Sequence, residues 1–240
     1  MLYLPSKTDH NLPHDPFKAC VIPRPIGWIS TTSPSGRHNL APFSQFNNLT
    51  FDPPYVMFAA NQSTLPPNGK KDTVLNVEAT QKFVWNLATY DLRHAVNASA
   101  QQFPHGTDEF LKAGLEKEFS TLLPGDDENP VPMVKNSPVK FECEYHSTLR
   151  LPGGGKLGSV DVVIARVIGV HIADWALNRE GKLDVKKTRP IARCGYFDYV
   201  VLEETFQMVI PGMDEGLLAG LEGSKVRVGE WEKKGRESKL

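Results

Sequence analysis

Apolar residues in this chain gather in short runs cut by proline and glycine. Residues 26–32 and 55–60 are aromatic and aliphatic and are bounded by prolines or by Ser-Pro-Ser-Gly, which predicts strands. Residues 83–88 predict a third. From Val139 the alternation is regular: Val139, Phe141, Cys143 and Tyr145 face one way, while Lys140, Glu142, Glu144 and His146 face the other, the pattern of a half-buried strand. That strand leads through Gly153-Gly154-Gly155, where a turn with positive φ is permitted, into the apolar run 159–172, and the two predict a long hairpin. Residues 196–202 predict the last strand. Helical periodicity is weaker. Asp91 is placed to cap a helix over 92–103 that buries Leu92, Ala95, Val96 and Ser99 and stops at Pro104, residues 108–115 predict a short helical piece, and 214–221 a late helix.

Strands therefore outnumber helices, and no internal repeat is present. Sequential antiparallel strands that bury one face and avoid free edges favour a closed or partly closed barrel, although composition alone does not separate a barrel from a sandwich. At 240 residues and 40% hydrophobic content, one domain spanning 1–240 is expected, with a charged, loose tail at 229–240. Nineteen prolines and nineteen glycines suit such a β-rich chain.

Charge and cysteine content exclude several classes of function. A net charge of -1 gives no field that would draw the chain to nucleic acid or an anionic membrane. Cys20, Cys143 and Cys194 form no CxxC pair, and the seven histidines show no HExxH spacing, so neither a disulfide framework nor a metal site is expected. No run approaches the roughly 18 apolar residues of a membrane span, and the N-terminus lacks the pattern of a secretory leader. A dinucleotide-binding GxGxxG between strand and helix is also missing.

The candidate chemistry lies in two clusters. Asn39-Leu40-Ala41-Pro42-Phe43-Ser44-Gln45-Phe46-Asn47 reads as a loop of small and amide-bearing residues, where main-chain groups approach the edge of a flat ring and Gln45 and Asn47 add side-chain bonds. Ser30 and Thr31 at a strand end, with Lys71 and Thr73 further on, offer hydroxyl and ammonium donors to a phosphate, and Asp72 is suited to orient Lys71 or a polyol chain. Taken singly, these segments are equally a strand end, a turn-rich loop and a helix cap. His38 stands beside the first cluster.

Taken in order, the motifs resemble the flavin reductase-like family of FMN-binding split barrels, which includes the flavoredoxins, over nearly the whole chain. They are RPIGW and ST at 24–31, NLAPFS and FN at 39–47, FDPP at 51–54, KDT at 71–73, and Phe83, Val84 and Asn86. Asp108-Glu109-Phe110, FECEY at 141–145, and PIAR at 190–193 followed by Gly195 and Tyr196 complete the series. The resemblance implies a six-stranded Greek-key split β-barrel with a few peripheral helices, usually a homodimer, holding FMN near the subunit interface. It assigns Ser30, Thr31, Ala41, Pro42, Ser44, Gln45 and Phe46 to the flavin and Lys71, Asp72 and Thr73 to its phosphate end, with Asn86 and Arg193 as further contacts. Many relatives read Arg-Leu-Gly-Gly after PIA, and Tyr196 replaces the second glycine here, a departure at the ring edge or partner-subunit wall.

The implied activity is an NAD(P)H-dependent flavin reductase that passes hydride or electrons through FMN to a soluble acceptor, with no side-chain nucleophile because the chemistry is at flavin N5. The alternatives are a flavoredoxin-like electron carrier and a non-catalytic module that binds flavin or haem. Ser238-Lys239-Leu240 matches the address read by the peroxisomal import receptor, so a peroxisomal location is expected in a eukaryote and a cytoplasmic one otherwise.

Overall fold

The structure is a computed structural model that describes residues 1–5, 7–62, 69–153, 158–208 and 211. Cα packing divides the chain into two units, Met1–Glu204 and Thr205–Leu240, and every element below belongs to the first. The helix expected at 214–221, the tail and Ser238-Lys239-Leu240 lie outside the described residues, as does most of the glycine turn after Gly153.

In chain order the elements are β1 (Arg24–Pro25), β2 (Gly27–Thr32), β3 (His38–Phe43), β4 (Phe46–Phe51), β5 (Pro54–Asn61), α1 (Asp72–Thr80) and β6 (Lys82–Asn86). Then come α2 (Arg93–Ala98), α3 (Glu109–Lys112), β7 (Lys117–Phe119), β8 (Pro132–Val134), β9 (Val139–Leu151) and β10 (Val160–Ile172). The unit closes with α4 (Val185–Thr188), β11 (Ile191–Gly195) and β12 (Asp198–Val201). The main sheet has seven strands in the order β3-β2-β6-β9-β10-β5-β4, and every neighbouring pair is antiparallel. Its two edge strands, β3 and β4, are consecutive in the chain and separated only by Ser44 and Gln45. Such a link spans at most about 11 Å between Cα atoms, so the two edges must meet and the sheet must roll into a barrel with one open seam. Fold class is thus a mainly β split barrel, with seven strands in the main sheet where six were expected. β1-β11-β12 and β7-β8 form two smaller sheets.

Ile29, Phe43, Phe58, Phe83, Cys143 and Val163 fill the barrel. Phe46 stacks on Trp85 with ring centroids 5.2 Å apart. That stack needs Gly27, because a Cβ there would stand 2.9 Å from the Phe46 side chain. The long hairpin is present as the β9-β10 pair. Its polar face is not solvated as the alternation predicted: Lys140 and Glu142 are buried. Lys140 Nζ pairs with Glu118 at 2.6 Å, while Glu142 accepts from the Leu122 amide at 2.9 Å and bonds His171 at 2.7 Å. Charged residues on one face of a strand are covered when each finds a partner.

Four sequence expectations are corrected. Residues 38–43 are an edge strand rather than a loop. Residues 72–80 are a helix that apolar periodicity did not reveal. The helix expected over 92–103 is reduced to six residues, and Asp91 does not cap it, its carboxylate instead lying 3.6 Å from Arg189. The final strand expected over 196–202 is present as the shorter β12, and it pairs with a strand the sequence did not reveal, β11, across a turn where Tyr196 takes a left-handed φ of 44°.

Candidate functional site

The seam between the sheet edges opens into a cleft of about 320 Å³. One wall is the end of β3 and its link to β4: Ala41, Pro42, Phe43, Ser44 and Gln45. Pro42 is tolerated in this strand because β3 is an edge and needs only one ladder of hydrogen bonds. The floor carries Lys70, Lys71, Asp72 and Thr73 at the start of α1. Residues 99–103 and His105 arch over the opposite side. The arch is tied at its start by the Trp28 indole, which donates to Ser99 Oγ at 2.9 Å, and at its end by Asp72. That carboxylate accepts from the Gly106 amide at 2.9 Å and lies 2.6 Å from His105 Nδ1.

Two features favour an anion at the α1 end. Lys71 is the residue before the first helical turn and does not cap it with its side chain. The Val74 and Leu75 amides both reach the Lys71 carbonyl, which leaves the Asp72 and Thr73 amides without an acceptor among the described residues. Burial lowers the Lys71 ammonium below its ordinary pKa, and Asp72 opposes that shift. A dianion arriving there would restore the favoured charged form.

The remaining expected residues are placed as follows. Ser30, Thr31 and Asn86 are fully buried and bonded to scaffold. Asn86 Nδ2 donates to the Trp28 carbonyl and to Ser30 Oγ, both at 3.1 Å, while its Oδ1 accepts from the Val134 amide at 2.8 Å. Thr31 Oγ1 accepts from Asn76 at 2.9 Å. Phe46 belongs to the core. Arg193 lies in β11 opposite Arg24, donates to the Tyr196 carbonyl and sits 4.5 Å from the Tyr199 ring centroid. None of these five lines the cleft: the polar groups of Ser30, Thr31 and Asn86 are engaged by buried neighbours, Phe46 is stacked on Trp85, and Arg193 serves a neighbouring turn. Thr73 lines it, but its hydroxyl donates to Asn39 Oδ1 at 2.7 Å, so its free donor is the main-chain amide rather than the hydroxyl. Asp72 orients His105 and Gly106.

Sequence reasoning quoted Glu109 within a motif and Ser99 within a helix but gave no role in the site to either, to His105 or to the rest of the 99–103 arch. Glu109 is 7% exposed and lines the cleft. Its Oε2 accepts from the Leu40 amide at 2.9 Å and from Asn39 Nδ2 at 3.0 Å. Burial pushes its carboxyl up to about 7 against the pull of the Leu40 amide, its own amide and Asn39, and Asp72 adds to the rise. An acid in the first turn of a helix is ordinary dipole complementation, so nothing local marked it as buried. His38 is held by Lys117 at 2.9 Å, and burial is the main cause that lowers its pKa. Among the described residues no group of three or more His, Cys, Asp or Glu is arranged to hold a metal, and no helix is long and apolar enough to cross a membrane.

The family profile described as "Flavin reductase like domain" matches residues 19–184. An uncharacterized protein of Aquifex aeolicus is 32% identical over 200 residues, covering 83% of this chain and 95% of that protein. Among solved structures, nitrilotriacetate monooxygenase component B from Bacillus cereus superposes with a TM-score of 0.75 at 25% identity, over 87% of this chain and 98% of that one. Flavoredoxin of Desulfovibrio vulgaris (Miyazaki F) shares the fold, with a TM-score of 0.63 at 15% identity over 80% and 93% of the two chains.

Proposed function

The chain belongs to the flavin reductase-like domain family, and from that premise we propose that it is an FMN-dependent oxidoreductase that draws on NAD(P)H and serves a soluble electron acceptor. One observation carries the reading. A single cleft joins an uncharged wall, Ala41 to Gln45, to a cationic end made of Lys71 and the open amides of α1, and FMN has the same polarity: a flat ring at one end and a phosphate at the other. The residues present fit the group. When bound, FMN supplies a hydride acceptor at N5.

The protein's part is to bind and to orient. Main-chain groups of residues 41–45 meet the ring edge, Lys71 and the Asp72 and Thr73 amides meet the phosphate, and the 99–103 arch excludes water from one side. No Ser-His-Asp arrangement is required. We propose further that the protein is a homodimer. Leu149 and Leu151 of β9 and Phe51 of β4, all exposed, support this, and light scattering at micromolar concentration tests it, a monomer overturning it.

The function is tested by the absorbance spectrum of the purified protein before and after a nicotinamide nucleotide is added. Rapid bleaching near about 450 nm, as for any oxidised flavin, followed by turnover with a soluble acceptor is the expected result. Slow bleaching would favour an electron carrier instead. Flavin or haem binding without turnover would leave only a binding module.

A further inference from the structure

We propose that Glu109 is a ligand-binding residue of the cleft, acting as a neutral carboxylic acid whose Oε1–H donates to a phosphoryl or hydroxyl oxygen of the bound polyol phosphate. This rests on the FMN reading of the site. Geometry decides which oxygen carries the proton. Oε2 already accepts two hydrogen bonds, from the Leu40 amide and from Asn39 Nδ2, and faces the protein. Oε1 makes no hydrogen bond with another described residue, and Glu109, whose own amide is the one further donor to its carboxylate, lines the cleft. With Oε2 engaged twice, a proton on Glu109 resides on Oε1, where it is a donor available to a ligand in the cleft.

The surroundings favour that state. Asp72, held by His105 and Gly106, presents negative charge from α1. Lys71 and Lys70 precede α1, and Lys70 is engaged by Glu78 at 2.5 Å. On the other side Asp108 pairs with Lys117 at 2.5 Å beside His38, so that cluster is largely neutralised. Burial disfavours the carboxylate, and a dianionic phosphate nearby would disfavour it further. Binding of FMN thus takes up a proton at Glu109.

The test compares wild type with Glu109→Gln. The amide of glutamine keeps both inward bonds through its oxygen and places an N–H where the acid's O–H would be, so it imitates the protonated state at every pH. FMN affinity, read by quenching of flavin fluorescence from pH 6 to pH 9, is expected to fall in wild type by up to about tenfold per pH unit above neutrality. In E109Q that component should vanish, with affinity at pH 6 within a few-fold of wild type. Parallel pH profiles, or a loss of tenfold or more in E109Q at pH 6, overturn the proposal. Failure of both proteins to bind FMN at pH 6 overturns the site reading and the proposal with it. Should E109Q fail to fold, the infrared carbonyl stretch of a protonated carboxylic acid is expected to appear in wild type when FMN is added at pH 8, and its absence overturns the proposal.

Discussion

Replacing Glu109 by glutamine should make the ligand-free protein more stable at pH 8 and leave it nearly unchanged at pH 4. The carboxyl is raised by burial from 4.5 to about 7, and with 7% exposure it has little solvent to screen that effect. A rise of this size is worth roughly 3 kcal/mol between the two protonation states. Its sign follows from linkage. The unfolded chain releases the proton near pH 4.5 while the folded chain holds it to about pH 7, so between these values the folded state binds more protons and stability falls as pH rises. The favourable share is complete below the unfolded pKa and is lost above the folded one. Urea unfolding followed by the emission of Trp28 and Trp85, both buried, measures it, and the difference between mutant and wild type at each pH cancels the other titrating groups. A difference that grows from near zero at pH 4 to about 3 kcal/mol at pH 8 is expected. A difference constant with pH would refute the reasoning, because it would mean that the buried carboxylate is as well solvated as in the unfolded chain.

Three further outcomes follow from particular contacts. Lys71→Ala should weaken FMN binding by about 1 to 3 kcal/mol through loss of a charge-assisted bond to phosphate, and unchanged affinity in fluorescence titration would remove Lys71 from the phosphate end. Gly27→Ala forces a Cβ to within 2.9 Å of Phe46 and disturbs its stack on Trp85, at an expected cost of about 1 to 3 kcal/mol in urea unfolding; a cost near zero would show that Phe46 moves freely. Asp126→Ala strands the Lys82 ammonium, which is 3% exposed and lies 3.0 Å from the Asp126 carboxylate, and should cost about 3 kcal/mol, the Pro124 carbonyl at 2.7 Å sparing part of the penalty. A destabilisation under about 1 kcal/mol would contradict burial of that pair.

Legibility in the sequence followed the chemistry of each segment. β2, β5, β6 and the β9-β10 hairpin were read because their buried faces are apolar and their ends are marked by proline or glycine. β3 was not, since Asn39, Ala41 and Pro42 imitate a loop, and only its place at the sheet edge makes a proline acceptable. α1 was hidden for a different reason. Its buried face includes Thr73 and Asn76 alongside Val74 and Val77, so no apolar stripe repeats at helical spacing. Ala41, Pro42, Ser44, Gln45, Lys71, Asp72 and Thr73 line one cleft, whereas Ser30, Thr31, Phe46 and Asn86 lie in the barrel and Arg193 in a separate sheet. The 99–103 arch carries no charge pattern or spacing that would have marked it.

Those displaced residues explain why the motifs occur together. Asn76 donates to Thr31 at 2.9 Å, Asn39 Oδ1 accepts from Thr73 at 2.7 Å and from Thr31 at 3.4 Å, and Asn39 Nδ2 reaches Glu109 at 3.0 Å. One hydrogen-bonded chain therefore joins β2, β3, α1 and α3, the four elements around the cationic end of the cleft. Serine, threonine and asparagine can hold a phosphate ester or cross-link buried backbone with the same groups, so residue type alone does not separate a ligand contact from the frame behind it. What distinguishes the frame here is that its side-chain groups are already paired with one another. With its polar side chains committed inward, the frame fixes where Lys71, the α1 amides and Glu109 stand before any ligand arrives, and an apolar core of equal volume would lack the directional bonds to do so. Affinity should accordingly depend on a few exposed donors, while substitutions at Thr31, Asn39 or Asn76 should act on the position of those donors and on stability together.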